Sequence, residues 1–362
     1  MQVKLSKEDL LTGIQIVQNV VAPKTTLPIL ANMLVETRKD TLRLYTTDLD
    51  IGISCEIPVN IIEDGAITIP AKRFSDIIKE FQSGEMIINA RKNNQIDIEG
   101  MNCKIKLLGL PKEEFPKFPE FKDQEAIRVK QTDLKEMFKM TAFAVSHEES
   151  RYVLNGILFE VTKDVLRLVA TDGRRLARIE RALVAPASKE TSFILPIKAI
   201  NEINRNLKDE GDVIFVPGVS QVMFDINGVL IATRIIEGDF PNYTQIVPKH
   251  IQVKIKLNTI EFLAAIRRAN LLSTPDFQAV KFELFKNRLV VSKTTPDIGE
   301  SREEIAIEYS GSELLVGFNP QYMMDILKNI TDPEVELELA GMDKPCLIRK
   351  ENYLYLALPM RW

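Results

Sequence analysis

The sequence predicts an α+β fold used three times in one chain, each copy combining antiparallel strands with two helices and lacking the Gly-rich loop of a doubly wound sheet. Two observations carry this. Ile69-Pro70-Ala71-Lys72, Leu195-Pro196-Ile197-Lys198 and Phe318-Asn319-Pro320-Gln321 lead into apolar segments at nearly the same phase, with prolines 126 and 124 residues apart (70 to 196, 196 to 320). Other landmarks keep that spacing: Met1-Gln2-Val3-Lys4 returns as Ile127-Arg128-Val129-Lys130 and Ile251-Gln252-Val253-Lys254, and Leu42-Arg43-Leu44 returns as Leu166-Arg167-Leu168. Glu114-Phe115-Pro116 before the first boundary matches Asp239-Phe240-Pro241 before the second. The copies therefore run over 1–122, 127–249 and 251–362, each large enough for its own core.

The first copy opens with an alternating strand over residues 2–5. Ser6 and Asp9 then have capping-box spacing, the hydroxyl and carboxylate answering backbone donors at a helix start. Leu10, Leu11, Ile14, Ile16, Val17 and Val20 supply that helix with a broad apolar face. Segments rich in Ile, Val and Thr predict strands over 29–35, 41–46 and 51–57. Pro70 opens a second helix, where a missing N–H does no harm, and Phe74, Ile77, Ile78 and Phe81 form its apolar stripe. Further strands close the copy, and the order recurs twice. Helices on one sheet face leave units that can join edge to edge in a curved array.

Composition narrows the function classes. With 45% hydrophobic and 27% charged residues, and no long uncharged apolar stretch, the chain is expected to be soluble and not membrane-bound. Its start, MQVKLSKEDLL, lacks a signal-peptide core. Cys55, Cys103 and Cys346 form no CxxC and are odd in number, which points to a reducing cytoplasmic compartment. His147 and His250 have no zinc spacing with them, and GxSxG and GxxxxGK[ST] are absent, so neither metal, cofactor nor intrinsic catalysis is expected. Gly211-Asp212 and Asp172-Gly173 read as turns.

The net charge of -4, from 47 basic and 51 acidic residues, requires any nucleic-acid partner to meet a segregated basic surface. The helices offer one: Lys72, Arg73 and Lys79 in copy one; Lys135, Lys139, Lys198 and Arg205 in copy two; Arg267, Arg268 and Lys328 in copy three. Such groups attract phosphates without reading bases. Taken singly each reads more readily as a solvated helix residue, and it is the recurrence that favours the set.

Several longer motifs make the chain resemble the β subunit of bacterial DNA polymerase III, the β sliding clamp family, over essentially its whole length. They are Thr25-Thr26-Leu27-Pro28-Ile29-Leu30, Thr47-Asp48-Leu49, Arg151-Tyr152-Val153-Leu154-Asn155-Gly156, Val169-Ala170-Thr171-Asp172-Gly173-Arg174-Arg175-Leu176-Ala177, Gly238-Asp239-Phe240-Pro241-Asn242-Tyr243 and Leu358-Pro359-Met360-Arg361. The resemblance implies three DNA-clamp domains per chain and a head-to-tail homodimeric ring, with helices lining the inner face and antiparallel sheets forming the outer scaffold. It implies a processivity factor that breaks no bond, encircles double-stranded DNA without sequence specificity and works in the cytoplasm at the nucleoid and replisome. Its partners would be the clamp loader, the replicative polymerase, repair polymerases and other proteins with clamp-binding peptide motifs. The alternative reading is a non-enzymatic peptide-binding scaffold that does not encircle DNA.

Carried onto this sequence, the resemblance places Lys24, Arg151 and Tyr152 beside DNA with the helical basic set. It gathers a client-peptide pocket from Leu154, Thr171, Gly173, Arg174, Arg175, Leu176, Pro241 and Ile246, joined by Asn319, Tyr322, Leu356, Leu358, Pro359, Met360 and Arg361. Aliphatic and methionine side chains suit varied apolar anchors, and Arg175 or Arg361 would hold an acidic or polar peptide group. Without the resemblance, the same residues read as a domain-interface core. The dimer interface would set Lys72, Lys104, Ile105 and Leu107 against Leu271, Leu272, Glu300, Glu303 and Glu304. The chain departs from the family pattern in its bulky last residue, Trp362, which either extends the pocket rim or covers part of it.

Overall fold

The helix start expected at Ser6 forms as an N-cap: the Asp9 N–H donates to Ser6 Oγ at 3.0 Å, and that hydroxyl donates to the Asp9 carboxylate at 2.7 Å. The structure, a computed structural model, describes residues 1–21, 26–121 and 125–361. Among them are six α-helices: α1 (Lys7–Val17), α2 (Ala71–Glu80), α3 (Gln131–Thr141), α4 (Ile197–Asn206), α5 (Thr259–Asn270) and α6 (Pro320–Asn329).

The chain divides into two compact units. Unit one comprises Met1–Thr132, Leu183–Ser188 and Lys198–Ile235; unit two comprises Asp133–Ala182, Lys189–Ile197 and Ile236–Trp362. The middle copy is thus shared between them. In unit one, an eight-stranded antiparallel sheet runs Ile127–Lys130, Asp212–Pro217, Gln221–Ile226, Val229–Arg234, Ile51–Pro58, Thr41–Thr47, Asn32–Arg38, Ala66–Pro70. A second sheet of five strands runs Asn60–Glu63, Gln2–Ser6, Glu85–Ala90, Gln95–Gly100, Cys103–Leu108. Helix α1 lies on the strands Thr41–Thr47 and Ile51–Pro58 and also packs against α2, burying Leu10, Ile14, Val17, Phe74 and Ile78. A Cβ on Gly13 would come within 2.7 Å of Leu44, so this close approach needs a glycine in mid-helix.

Unit two has an eight-stranded sheet in the order Thr191–Pro196, Gly156–Val161, Val165–Thr171, Arg175–Ala182, Tyr353–Ala357, Cys346–Lys350, Glu334–Leu339, Val253–Asn258. Its second sheet has four strands, Gly299–Ala306, Arg288–Thr295, Val280–Phe285 and Leu314–Phe318. Helices α5 and α6 pack together over buried Phe262, Ile266, Met323 and Ile326.

Three details differ from the sequence expectation. Residues 28–31 form a 3₁₀ turn and the strand begins at Asn32, because Pro28 sits in the first turn of that short helix. Equivalent helix starts are marked by backbone bonds of 2.9 Å from Lys7 N to Gly84 O, Gln131 N to Gly211 O and Thr259 N to Pro333 O. By that yardstick Val3 and Leu5 match Ile127 and Val129, then Ile255 and Leu257, so the opening echoes are two and four residues out of register. Even slips preserve strand alternation, which is why the pattern concealed them. Finally, Pro70 and Asn319 occupy the N-cap of α2 and α6, while Pro320 is already in the first turn.

Candidate peptide pocket, basic surface and edge strands

The segment Thr171–Arg175 is a tight turn held by its own side chains. Gly173 N donates to Thr171 Oγ1 at 3.0 Å, and the Thr171 hydroxyl donates to Arg175 O at 2.5 Å. One Asp172 oxygen accepts from the N–H groups of Arg174 and Arg175 at 2.8 and 2.9 Å, and the other accepts from Arg175 Nε at 3.0 Å. Gly173 has φ +86, and a Cβ there would lie 2.5 Å from Arg151 Nη1. Arg151 Nη1 itself donates to Asp172 O at 2.8 Å, tying Arg151 to the back of this turn.

Beneath the turn, Leu158, Val169, Leu176, Ile194, Tyr243, Leu347, Leu354 and Leu356 form a buried apolar cluster, with Phe240, Val247 and Leu358 packed partly exposed against it. Strand pairing sets Leu176 opposite Leu356, and Leu358 N donates to Arg174 O at 2.8 Å. Met360 N reaches Gly317 O at 2.8 Å, laying the terminal segment beside the other sheet of unit two. Tyr243 donates its hydroxyl to Glu160 at 2.7 Å; burial first, and then that carboxylate, push the phenol up to about 12.

All the residues expected around the peptide pocket fall in unit two. Leu154, Thr171, Arg175, Leu176 and Leu356 are buried walls; Asn319, Tyr322, Leu358, Pro359 and Met360 are half-buried; Gly173, Arg174, Pro241, Ile246 and Arg361 are exposed. Arg175 does not offer the free charge expected of it. Its guanidinium donates to Asp325 at 2.6 Å, to Asp172 and to Phe143 O, and stacks 4.5 Å from the Tyr322 ring centre. Burial opposes its charge, but the hydrogen bond to Asp325 and the nearby acids outweigh it, so its pKa rises. Its role is to brace the wall, leaving Arg174 and Arg361 as the exposed cations. Asp172 and Tyr243 stood in the quoted motifs but not among the expected pocket residues, and Asp325 was not singled out at all, although it occupies the helix position of Asp76 and Glu202 in the other copies.

The helical basic residues are exposed, but unequally committed. Lys198 pairs with Asp48, Arg205 with Glu202 at 2.7 Å, Lys79 with Asp76 at 3.9 Å, and Arg268 Nε with Glu303 at 2.8 Å. Lys72, Arg73, Lys139, Arg267 and Lys328 form no ion pair among the described residues, while Lys135 has a further interaction. Tyr152 is exposed and donates to Glu237 O. Lys24 and Trp362 lie outside the described residues.

The expected dimer residues lie on edge strands. Lys104, Ile105 and Leu107 belong to Cys103–Leu108, an edge of the five-stranded sheet; Glu300, Glu303 and Glu304 belong to Gly299–Ala306, an edge of the four-stranded sheet. Lys104 already pairs with Glu99, Glu303 with Arg268, and Glu304 with Arg302 at 2.5 Å, so these charges are not waiting for partners. Apolar surface is uncovered nearby: Leu271 is 81% exposed, Leu108 73% and Met101 72%. A cavity of about 590 Å³ beside the first edge is lined by Ile77, Phe81, Gly100, Met101, Cys103 and Ile105. Cys103 is exposed, whereas Cys55 and Cys346 are buried and burial pushes both thiols up to about 12.

Comparison with known proteins gives three family matches in series: the DNA polymerase III beta subunit N-terminal domain over residues 1–119, its central domain over 128–242 and its C-terminal domain over 244–361. The beta sliding clamp of Chlamydia pneumoniae is 31% identical over 362 residues, covering 100% of this chain and 99% of that protein. The solved DNA polymerase sliding clamp of Bacillus subtilis superposes with a TM-score of 0.96 at 31% identity, covering 100% of this chain and 99% of that one. The DNA polymerase III beta subunit of Pseudomonas aeruginosa gives 0.96 at 28% identity, covering 100% of both chains.

Proposed function

The chain belongs to the DNA polymerase III beta subunit family, the non-catalytic sliding clamps of DNA replication, and from that premise we propose that it closes head to tail with a second copy around duplex DNA. The observation that carries this reading is which strands are left over. Within the chain, the last strand of copy two pairs with Ile51–Pro58 of copy one, and the last strand of copy three pairs with Arg175–Ala182 of copy two. By the same rule Cys103–Leu108, the last strand of copy one, lacks an outer neighbour among the described residues, and so does Gly299–Ala306 of copy three. Two copies can satisfy both edges twice, which removes exposed backbone donors and closes the assembly.

In that arrangement Leu271 and Leu272 supply the apolar centre against Ile105, Leu107 and the neighbouring cavity, with Lys72 and Glu300 at its margin. The three domains are 1–122, 127–249 and 251–362. Lys72, Arg73, Lys79, Lys135, Lys139, Lys198, Arg205, Arg267, Arg268 and Lys328 furnish the positive lining, joined by Arg151 and Tyr152. Phosphate contacts without base contacts hold the ring loosely enough to slide. The pocket around Thr171–Arg175 and Met360 receives client peptides of the clamp loader, replicative polymerase and repair polymerases, so that topology retains the polymerase on its template at the nucleoid and replisome in the cytoplasm.

A Leu271→Asp substitution tests closure. It buries a carboxylate in the proposed interface and leaves the peptide pocket untouched. The variant should sediment as a monomer at concentrations where the unaltered chain is a dimer, while still binding a client peptide. A variant that remains dimeric would remove this surface from the account.

A further inference from the structure

We propose that the groove at the copy-one to copy-two seam of unit one is a second peptide site, taking an extended segment whose apolar side chain enters beside Met223 and whose carboxylate reaches Arg43. The proposal rests on reading the Thr171–Arg175 pocket as a peptide site, because the internal repeat relates the two seams.

The related positions have the same chemistry and a different cover. Leu158, Leu347 and Leu354 are 7%, 0% and 4% exposed beneath the first pocket. Their mates Leu34, Met223 and Leu230 are only half-buried, and they line a cavity of about 1150 Å³. Strand pairing also ends sooner here. The ladder stops at Ser54 opposite Leu230, whereas its counterpart continues to Ile179 opposite Tyr353 and adds a bond of 2.9 Å from Glu180 N to Asn352 O. Residues 55–58 consequently retain only the neighbour on their other side, among the described residues. An exposed strand margin beside an apolar slot suits an extended chain.

The charge of the occupant follows from Arg43. Its repeat mate Arg167 donates to Glu180 at 2.8 Å and to Glu160 at 3.1 Å. In this seam the corresponding acids are engaged elsewhere: Glu36 accepts from Arg38 at 3.0 and 3.1 Å, and Glu56 accepts from Thr41 at 2.6 Å. Arg43 is left with one hydrogen bond among the described residues, from Nε to Ser54 Oγ at 2.8 Å, and lies 5.1 Å from the ring centre of Phe118 and 5.5 Å from that of Tyr45. Burial, then repulsion from Arg38, lowers its pKa, and the nearby Glu36 and Glu56 carboxylates offset this only in part because neither hydrogen-bonds to it. A carboxylate on a short stem satisfies the planar guanidinium while the aromatic rings cover the attached apolar residue. A cationic segment would have to compete for Asp9, Glu36 and Glu56, which already accept hydrogen bonds, or turn to Glu113 and Glu120 elsewhere in the lining.

The test uses full-length protein carrying ¹³C-methyl methionine, titrated with acetyl-Ser-Leu-Phe-Asp-Ser-amide and with the same peptide bearing Lys in place of Asp. Met223 reports this groove, and Met360 reports the first pocket. The Asp peptide should move the Met223 resonance, Arg43→Gln should weaken that response by about tenfold without altering the response at Met360, and Met360→Ala should leave it intact. A stationary Met223 while Met360 saturates, an unchanged Met223 midpoint in Arg43→Gln, or equal binding of the Lys peptide would overturn the second site. A silent Met360 beside a responsive Met223 would overturn the first pocket and sustain the groove.

Discussion

The register of the proposed intermolecular strand pair can be worked out from the two pairs inside the chain. At one seam Gly52 lies opposite Ala232, and at the other Leu176 lies opposite Leu356. The hairpins place Gly299 in the position of Gly52 and Leu176, since each faces the last threonine of the preceding strand. Likewise Cys103, Val229 and Tyr353 each open the last strand of their copy. Both seams then predict Gly299 opposite Lys106 and Glu300 opposite Ile105 of the other copy, and the longer ladder of unit two, which reaches Ile179 opposite Tyr353, extends this to Arg302 opposite Cys103. Replacing Arg302 with Cys converts that register into a bond. Directly opposed residues have Cα atoms about 4.5–5.5 Å apart, within the span a disulfide bridges, while a two-residue slip opens the gap to about 7–8 Å. Among the described residues Arg302 makes a single surface ion pair, with Glu304, and the other two cysteines are buried, so background crosslinking should be low. Under mild oxidation, a non-reducing gel should show Arg302→Cys forming covalent dimer about tenfold faster than Glu304→Cys or Glu300→Cys. Faster crosslinking at either of those positions would refute the transplanted register, and no crosslinking in any variant would refute the strand pair.

Other consequences are sharper for knowing the partners of each charge. Arg175→Met leaves Asp172 and Asp325 without their shared cation; breaking a buried pair costs about 3–5 kcal/mol, so urea unfolding should shift markedly, and a change below about 1 kcal/mol would contradict the bracing role. Met360→Ala should weaken client peptides by roughly tenfold in a fluorescence titration while leaving retention on DNA unchanged. For the basic surface, reversing Arg73, Arg267 and Lys328 is cleaner than reversing Lys198 and Arg205, which would strip Asp48 and Glu202 of their partners. The triple variant should bind linear duplex more weakly at low salt and lower the salt slope by about 0.9 for each phosphate left without its cation; an unchanged slope would show that these side chains do not meet DNA.

The repeat and its two helices were legible because apolar period and turn residues are local properties. Ser6 caps α1 as its spacing implied, and Phe74 and Ile78 are buried as their stripe required. Register was less legible: a shift of two or four residues leaves every side chain on its face, so Ile251 and Val253 stood in for Ile255 and Leu257. The division of the middle copy between two sheets could not be read at all, since strand pairing across copies depends on distant edges. At the pocket, family motifs named the walls, but the use of Arg175 was hidden because its acid Asp325 lies on a helix 150 residues away. Lys198 looked like an available cation for the same reason, its partner Asp48 being 150 residues away, whereas the partner of Arg205, Glu202, lies one turn away on the same helix.

Encirclement is a topological property, and retention on nicked circular DNA after loading with a compatible clamp loader and ATP, followed by linearisation in high salt, reads it out. Encirclement predicts that the protein stays on the circle and leaves once the ends are cut free. Absence of retained protein with a verified, active loader, or release that ignores DNA ends, would contradict it and leave a peptide-binding scaffold that does not enclose DNA.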